Sequence, residues 1–384
     1  MITGSKELIR DINSHLILEC IISEGPISRA DLAKKLGLTK ATVSAIVQIL
    51  LDHHLILEIG SASTRKGRKP ILLDFHHRAG QVICLDLEPE YITAFTADLK
   101  GTHCTLKQYP APSSPSQVFP SLVRILEDTI QGLEKTVYGV VGICLGIHGI
   151  VHNNQIVFTP YYDLGDADLA AKLSERFQIP VLLENEANLS VLGERTFSFP
   201  YPNLINISVH SGIGMGILID DRLYTGQHGF AGEFGHTVYM PEGRPCPCGN
   251  RGCLEQYASQ RALLADLARK KRKPSLSMDD FLTLYQAGDP DALSLISDFI
   301  RYMGVGINNA LNMFNPSLII INSAFTIHIP HLTERLQSQL ASPLGPCCAI
   351  RPSSLQDTAI LLGGVCLSVK NFLGIDRFFL TSAR

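Results

Sequence analysis

Residues 27–50 read ISRADLAKKLGLTKATVSAIVQIL, and their spacing predicts two short helices joined by a tight turn. Ser28 opens the first helix, with Asp31 three residues on as a capping box and Leu32, Ala33 and Leu36 facing inward. Gly37 ends it, because a residue without a β-carbon tolerates positive φ. Thr39 caps the second helix, whose Val43, Ile46, Val47 and Leu50 fall at i, i+3, i+4 and i+7. Such a pair is a helix-turn-helix unit. Its second helix turns Lys40, Ala41, Thr42, Ser44, Ala45 and Gln48 outward, with no acid before Asp52. Small and hydrogen-bonding side chains let a helix approach base edges and phosphates.

The flanks extend this unit. Residues 6–23 read as one helix, with Leu8, Ile9, Ile12, Leu16 and the run 20–22 supplying its buried side. After Leu55 the pattern becomes extended over 55–60 and 69–74, a hairpin whose tip carries Arg65, Lys66 and Arg68. The whole, residues 1–75, is a winged helix-turn-helix. Its candidate DNA contacts are Arg29, Thr39, Lys40, Thr42, Ser44 and Gln48, with Arg65, Lys66 and Arg68 on the wing. A winged helix that docks on protein is the alternative. Charge favours DNA: residues 1–75 carry ten Lys/Arg against eight Asp/Glu, on a chain whose net charge is −3.

The chain has 384 residues, 45% hydrophobic and 18% charged, which excludes wholesale disorder and leaves room for two or three domains. No apolar run approaches the ~18 residues of a membrane span, so membrane insertion is not expected. The N-terminus lacks a signal-peptide core, which points to the cytoplasm. From Val82 onward strands and helices alternate: strands at 82–87, 92–98, 140–145, 181–184, 204–209, 217–219 and 318–321, helices near 116–133, 260–270, 279–287 and 291–314. This is an α/β domain of two lobes, spanning 76–384. The first lobe is expected at about 80–195 plus the C-terminal helix, the second at about 196–364.

Ten cysteines in a reducing compartment need a reading other than disulfides. Residues 246–253 read CPCGNRGC, placing Cys246, Cys248 and Cys253 close together, with His236 ten residues upstream. Three thiolates and one imidazole are a complete tetrahedral set for Zn2+, with no position left for a catalytic water. The expected zinc is therefore structural. Free thiols in a loop are the alternative, and the other seven cysteines follow no ligand spacing.

Taken together, FAGEFGH (230–236), CPCGNRGCLEQYAS (246–259), ENEAN (184–188), SGIGMGI (211–217) and NMFNPSLIII (312–321) resemble the ROK family of bacterial repressors and sugar kinases. The resemblance implies an actin-like, ribonuclease-H-like fold with sugar bound between two lobes. It implies a sugar site of Asn185, Glu186, Glu233, His236 and Glu255, in which His236 also serves the zinc. Carboxylates and amides suit sugar hydroxyls, which donate and accept at once. At Glu186 a plain acid at a helix N-terminus is the alternative.

The family's kinases carry an Asp where Glu186 stands, a Gly-rich phosphate loop where Asp86 is followed by Leu87, Glu88, Pro89 and Glu90, and glycines where Asn322 and Ser323 stand. Two carboxylates and a proline facing a γ-phosphate have the wrong sign and lack N–H donors. Kinase activity is therefore expected to be lost. Only the repressor members carry the winged helix, and among them the xylose repressors are most similar, through Glu186, Asn322–Ser323 and IVFTP (156–160). Tyr161, Tyr162, Asp163 and His148 depart from the usual pattern beside the sugar. D-xylose is the expected effector, with glucose or another hexose behind it.

The expected function is thus a repressor on a palindromic operator of double-stranded DNA, acting as a homodimer or tetramer and released by sugar. The rivals are a sugar kinase that kept its DNA-binding head, and a regulator of glucose or hexose genes controlled by a phosphotransferase-system partner.

Overall fold

The computed structural model describes residues 6–61, 70–160, 164, 168–340 and 348–380. The wing-tip residues Arg65, Lys66 and Arg68, the segment Tyr161, Tyr162 and Asp163, and Cys347 lie outside the described residues.

The N-terminal head contains α1 (Lys6–Glu24), β1 (Ile27–Ser28), α2 (Arg29–Leu36), α3 (Lys40–Asp52), β2 (Ile56–Ser61) and β3 (Ile71–Phe75). Its three strands pair in the order β1-β3-β2, all antiparallel. The caps stand where the sequence places them. Ser28 Oγ accepts from Asp31 N at 3.2 Å, Gly37 takes φ 65°, and Thr39 Oγ1 accepts from Thr42 N at 3.1 Å. The Asp31 carboxylate, however, accepts a hydrogen bond from the Ser28 hydroxyl at 2.6 Å in place of the Ser28 backbone N–H that a reciprocal box would use.

Burial corrects the reading of α1. Ile17, Leu18, Cys20, Ile21 and Ile22 are buried, but Leu8, Ile9, Ile12 and Leu16 are exposed by 42–52%. Only the second half of the helix enters the core made by Leu32, Val43, Ile46, Val47, Ile56, Leu73 and Phe75. An apolar stripe at helical spacing does not say which of its turns has something to pack on.

Next come β4 (Gln81–Leu87), β5 (Tyr91–Asp98), β6 (Thr105–Pro110), α4 (Pro115–Gln131), β7 (Val140–Ile147), the hairpin β8 (Ile150–His152) and β9 (Gln155–Phe158), α5 (Leu169–Phe177) and β10 (Val181–Asn185). They are followed by α6 (Glu186–Phe197), β11 (Leu204–Val209), β12 (Ile213–Ile219), β13 (Arg222–Leu223), α7 (Glu255–Ala258), α8 (Gln260–Lys271), α9 (Met278–Gln286) and α10 (Pro290–Phe314). The chain ends with β14 (Leu318–Asn322), α11 (Ala324–His328), α12 (Leu332–Gln337), β15 (Ala349–Pro352) and α13 (Ala359–Leu373).

The two lobes repeat one plan. In the first sheet, ordered β10-β7-β4-β5-β6, β4 to β6 form an antiparallel meander and β7 joins β4 in parallel. In the second, ordered β13-β12-β11-β14-β15, β11 to β13 form the meander and β14 and β15 add in parallel. Each parallel step requires a helical crossover, which covers a sheet face. Ile83, Leu85, Ile143 and Leu145 accordingly pack with Leu122, Ile125 and Leu126 of α4. Ile205, Ile207, Ile319 and Ile321 pack with Phe299, Met303, Ile307 and Leu311 of α10. Each such side chain contributes about 1.5–3 kcal/mol when fully buried.

Two compact units result: Met1–Glu184 with Thr196–Pro200 and Gly364–Arg384, and Asn185–Arg195 with Tyr201–Gly363. The head shares the first unit with the first lobe. Leu99 N donates to His77 O at 3.0 Å, Lys100 pairs with Asp74 at 3.5 Å, and the Tyr138 hydroxyl donates to the His53 carbonyl that ends α3. Residues 185–195, expected in the first lobe, group with the second unit instead. The first turn of α6 lies directly on β12, where a β-carbon at Gly216 would stand 2.1 Å from Ala187 O.

Candidate functional site

On the head, Thr39, Lys40, Ser44 and Gln48 are exposed and Thr42 is half-buried. All lie on α3 or its cap. Thr39 Oγ1 and Thr42 Oγ1 are 2.9 Å apart, and Gln48 Nε2 donates to Asp52 Oδ1 at 2.8 Å. Arg29 at the start of α2 is paired with Glu58 of β2 at 2.8 Å, so its guanidinium is drawn towards the wing strands. α3 therefore presents one small, polar, cationic face, while its Val43, Ile46, Val47 and Leu50 are buried.

In the second unit, the loops after β13 bring His236, Cys246, Cys248 and Cys253 together, their ligand atoms all within 4.8 Å of one another. Cys246 Sγ is 3.5 Å from His236 Nδ1, and Cys248 Sγ is 3.7 Å from Cys253 Sγ. Around a tetrahedral zinc with bonds of about 2.3 Å to sulfur and 2.0–2.1 Å to nitrogen, neighbouring ligand atoms stand roughly 3.5–3.8 Å apart. The donor set and its spacing fit that ion. Gly252 is needed for the wrap: it takes φ 80°, and a β-carbon there would stand 1.7 Å from Met240 O.

The carboxylates continue from the same histidine. His236 Nε2 faces Glu233 Oε2 at 3.7 Å, while Nδ1 is 3.8 Å from Glu255 Oε1. Glu255 is buried at the start of α7, and its Oε1 accepts from Gln256 Nε2 at 3.0 Å. Burial pushes the Glu233 carboxyl up; the His236 ring opposes this and the Glu255 charge adds to it. Glu186 begins α6, and Asn185 caps that helix, its Oδ1 accepting from Ala187 N at 2.9 Å and Asn188 N at 3.1 Å.

What joins these groups is the SGIGMGI hairpin, which the expected sugar site did not include. A β-carbon at Gly214 would stand 3.0 Å from Glu186 Oε1, and one at Gly212 would stand 3.3 Å from Glu255 Oε2. The glycines thus floor both carboxylates. Glu233, His236 and Glu255 are in direct reach of one another, and Glu186 with Asn185 approaches over that floor.

The positions that would carry phosphoryl chemistry are engaged otherwise. Asp86 is buried, with Oδ1 at 2.9 Å from His148 Nε2. Glu88 N donates to Tyr91 O at 3.1 Å, closing a tight turn around Pro89. Asn322 Nδ2 donates to Gln356 O at 3.1 Å, and Ser323 Oγ caps α11 by accepting from Phe325 N at 3.2 Å.

A sequence profile of the ROK family matches residues 82–371. The chain belongs to the ROK family. A winged helix-turn-helix DNA-binding profile matches residues 10–56, so this ROK protein carries the head of a regulator. It is similar to the xylose repressor of Bacillus spizizenii, at 36% identity over 382 residues that cover 97% of this chain and 99% of that protein. The crystal structure of a ROK-family transcriptional regulator, a homologue of the Escherichia coli MLC protein, matches with a TM-score of 0.80 at 27% identity, covering 95% of this chain and 97% of that one. A ROK glucokinase from Streptomyces griseus, solved with glucose and AMPPNP, matches with a TM-score of 0.67 at 25% identity, covering 75% of this chain and 99% of that one. The ROK fold therefore serves both repressors and kinases among these relatives, and the winged head is followed here by a sugar-kinase-like α/β domain.

Proposed function

We propose that the chain is a sugar-responsive transcriptional repressor of a xylose-type catabolic operon. The observation that carries this reading is the similarity to a xylose repressor over 97% of the chain, which includes head and lobes alike. Without sugar, α3 enters the major groove of operator DNA, with Lys40, Thr42, Ser44 and Gln48 towards bases or backbone, and the wing basic residues reach phosphate. A homodimer or tetramer on a palindrome places two such helices about one helical turn apart.

Xylose binds at Asn185, Glu186, Glu233, His236 and Glu255. His236, Cys246, Cys248 and Cys253 hold a structural Zn2+, which supplies cross-linking of the loops and no step of chemistry. An unpaired group in such a site costs about 1–3 kcal/mol, enough to separate sugars that differ at one hydroxyl. Sugar weakens operator binding only by favouring one arrangement of the chain over another. A coupling of about 1–3 kcal/mol corresponds to about 5–150-fold.

In this reading α13 carries that coupling. Its first turn, through Gly363, packs on α6, where a β-carbon at Gly363 would stand 1.9 Å from Leu189 O. From Gly364 it packs on the first sheet at Cys84 and Cys144. Phe372, near its end, meets the Tyr138 ring edge-on at 5.0 Å, and Tyr138 is bonded to the end of α3.

Phosphoryl transfer is absent in this reading. The support is the Asp86–His148 contact, the Glu88–Pro89–Glu90 turn and the Asn322–Ser323 cap. The test is anisotropy of labelled DNA from the protein's own upstream region, titrated at fixed salt and challenged with xylose and glucose separately. Release by xylose alone is expected. Tight binding that neither sugar relieves would replace xylose with another effector, including a phosphotransferase-system protein. Absence of specific binding together with sugar-dependent ADP release would overturn the reading in favour of a kinase.

A further inference from the structure

We propose that His77, Asp98 and His103 form a second metal site, for a borderline divalent ion such as Zn2+, at the joint between the DNA-binding head and the first lobe. Their ligand atoms lie within 4.8 Å of one another, and they are distant in sequence from the cysteine cluster. His77 opens the short 3₁₀ helix that follows β3; Asp98 ends β5; His103 lies in the turn before β6.

The two oxygens of Asp98 have different surroundings. Oδ1 completes the turn, accepting from Lys100 N at 3.0 Å and Thr102 N at 2.8 Å. Oδ2 receives His77 Nδ1 at 2.8 Å, His103 Nδ1 at 2.9 Å and the Thr102 hydroxyl at 2.6 Å. Three donors thus compete for the two lone pairs of one oxygen. An ion relieves the conflict: it takes one lone pair of Oδ2 and the lone pairs of both Nδ1 atoms, leaving the other Oδ2 lone pair to Thr102. Each neutral imidazole then carries its proton on Nε2, so the exchange needs no net proton loss from the rings.

The set is close to ligating distance. Around a tetrahedral ion with bonds of about 2.0–2.2 Å to nitrogen and oxygen, neighbouring ligands stand roughly 3.3–3.6 Å apart, so the two Nδ1 atoms, now 2.8 and 2.9 Å from Asp98 Oδ2, would each draw back by about half an ångström to admit it. Two imidazoles and one carboxylate select borderline transition ions over Ca2+ or Mg2+, with water completing the sphere. The Asp98 side chain is 5% exposed, against 29% for His77 and 54% for His103, so the ion would be anchored from within and open to solvent on one side. His103 reaches Asp98 from a left-handed backbone at φ 51°, unusual for a residue with a β-carbon.

The test uses the full-length protein, stripped by chelator and re-equilibrated with buffered Zn2+ or Co2+, with metal counted per chain. Two ions are expected in the parent protein and one in both His103→Gln and His77→Gln, with operator binding and circular dichroism preserved. With Co2+, the variants should retain the thiolate-to-cobalt absorption of the cysteine site and lose only the weak bands of the nitrogen–oxygen site. His328→Gln, on an exposed turn of α11, is the control. One ion in the parent protein, two ions in His103→Gln, or an equal loss in His328→Gln would each overturn the proposal.

Discussion

Gly214→Ala tests the sugar site through its floor. The added β-carbon would stand 3.0 Å from Glu186 Oε1 and 3.1 Å from the Ala187 β-carbon, so the neighbours must yield by a few tenths of an ångström. The α6 backbone cannot easily supply that movement, because Ala187 O already lies where a β-carbon at Gly216 would be, 2.1 Å away. The Glu186 side chain must therefore turn. Losing one hydrogen bond between a sugar hydroxyl and an ionised carboxylate costs about 1.5–3 kcal/mol, or about 10–150-fold in Kd. The assay is xylose-driven release of labelled operator, read by anisotropy. The midpoint should rise by that factor while DNA affinity without sugar and the metal content stay at parent values. A parent-like xylose midpoint would remove Glu186 from the site, and a loss of DNA affinity as well would mean a folding defect.

Three further outcomes are expected. Lys40→Ala should weaken operator binding several-fold and make the log–log salt dependence shallower by about one unit if Lys40 neutralises a phosphate, with xylose affinity unchanged; an unaltered affinity and slope would remove Lys40 from the interface. Cys248→Ser should abolish the thiolate-to-cobalt absorption and the response to sugar together; survival of that absorption at full strength would refute the ligand assignment. Glu233→Gln should keep operator DNA bound at xylose concentrations that release the parent protein, and ordinary induction would exclude Glu233 from sugar binding.

The head was legible because its signals are local. Ser28, Gly37 and Thr39 act within three or four residues of their own position, so their caps could be placed without tertiary knowledge. The clustering of His236 with Cys246, Cys248 and Cys253 was legible for the same reason, with three of its four members inside eight residues. What escaped depends on contacts made across the fold. The exposed first half of α1 has the same apolar spacing as its buried half, and only packing distinguishes them. The grouping of α6 with the second unit rests on Gly214 and Gly216 of a strand that follows it in the chain. His77 and Asp98 meet only because the short 3₁₀ helix after β3 packs at the end of β5, where Leu99 N donates to His77 O, and no spacing of 21 residues announces that.

The departures from a phosphoryl-transfer site have structural consequences that make them hard to reverse singly. Asp86 is buried, and its contact with His148 supplies a partner for a carboxylate that would otherwise be costly to bury. Ser323 is fully buried and caps α11; replacing such a cap with an apolar residue typically costs about 0.5–2 kcal/mol. Asn322, also buried, holds the Gln356 carbonyl. A glycine at either position would therefore leave a backbone group without the bond it now has, before any nucleotide could bind. On the other side Glu233, His236 and Glu255 remain mutually in reach, and glycines remain beneath Glu186 and Glu255. In the proposed reading, a chain that keeps its sugar-facing residues while committing its phosphate-facing ones to internal bonds would recognise a sugar without transforming it, and the winged helix would give that recognition something to control.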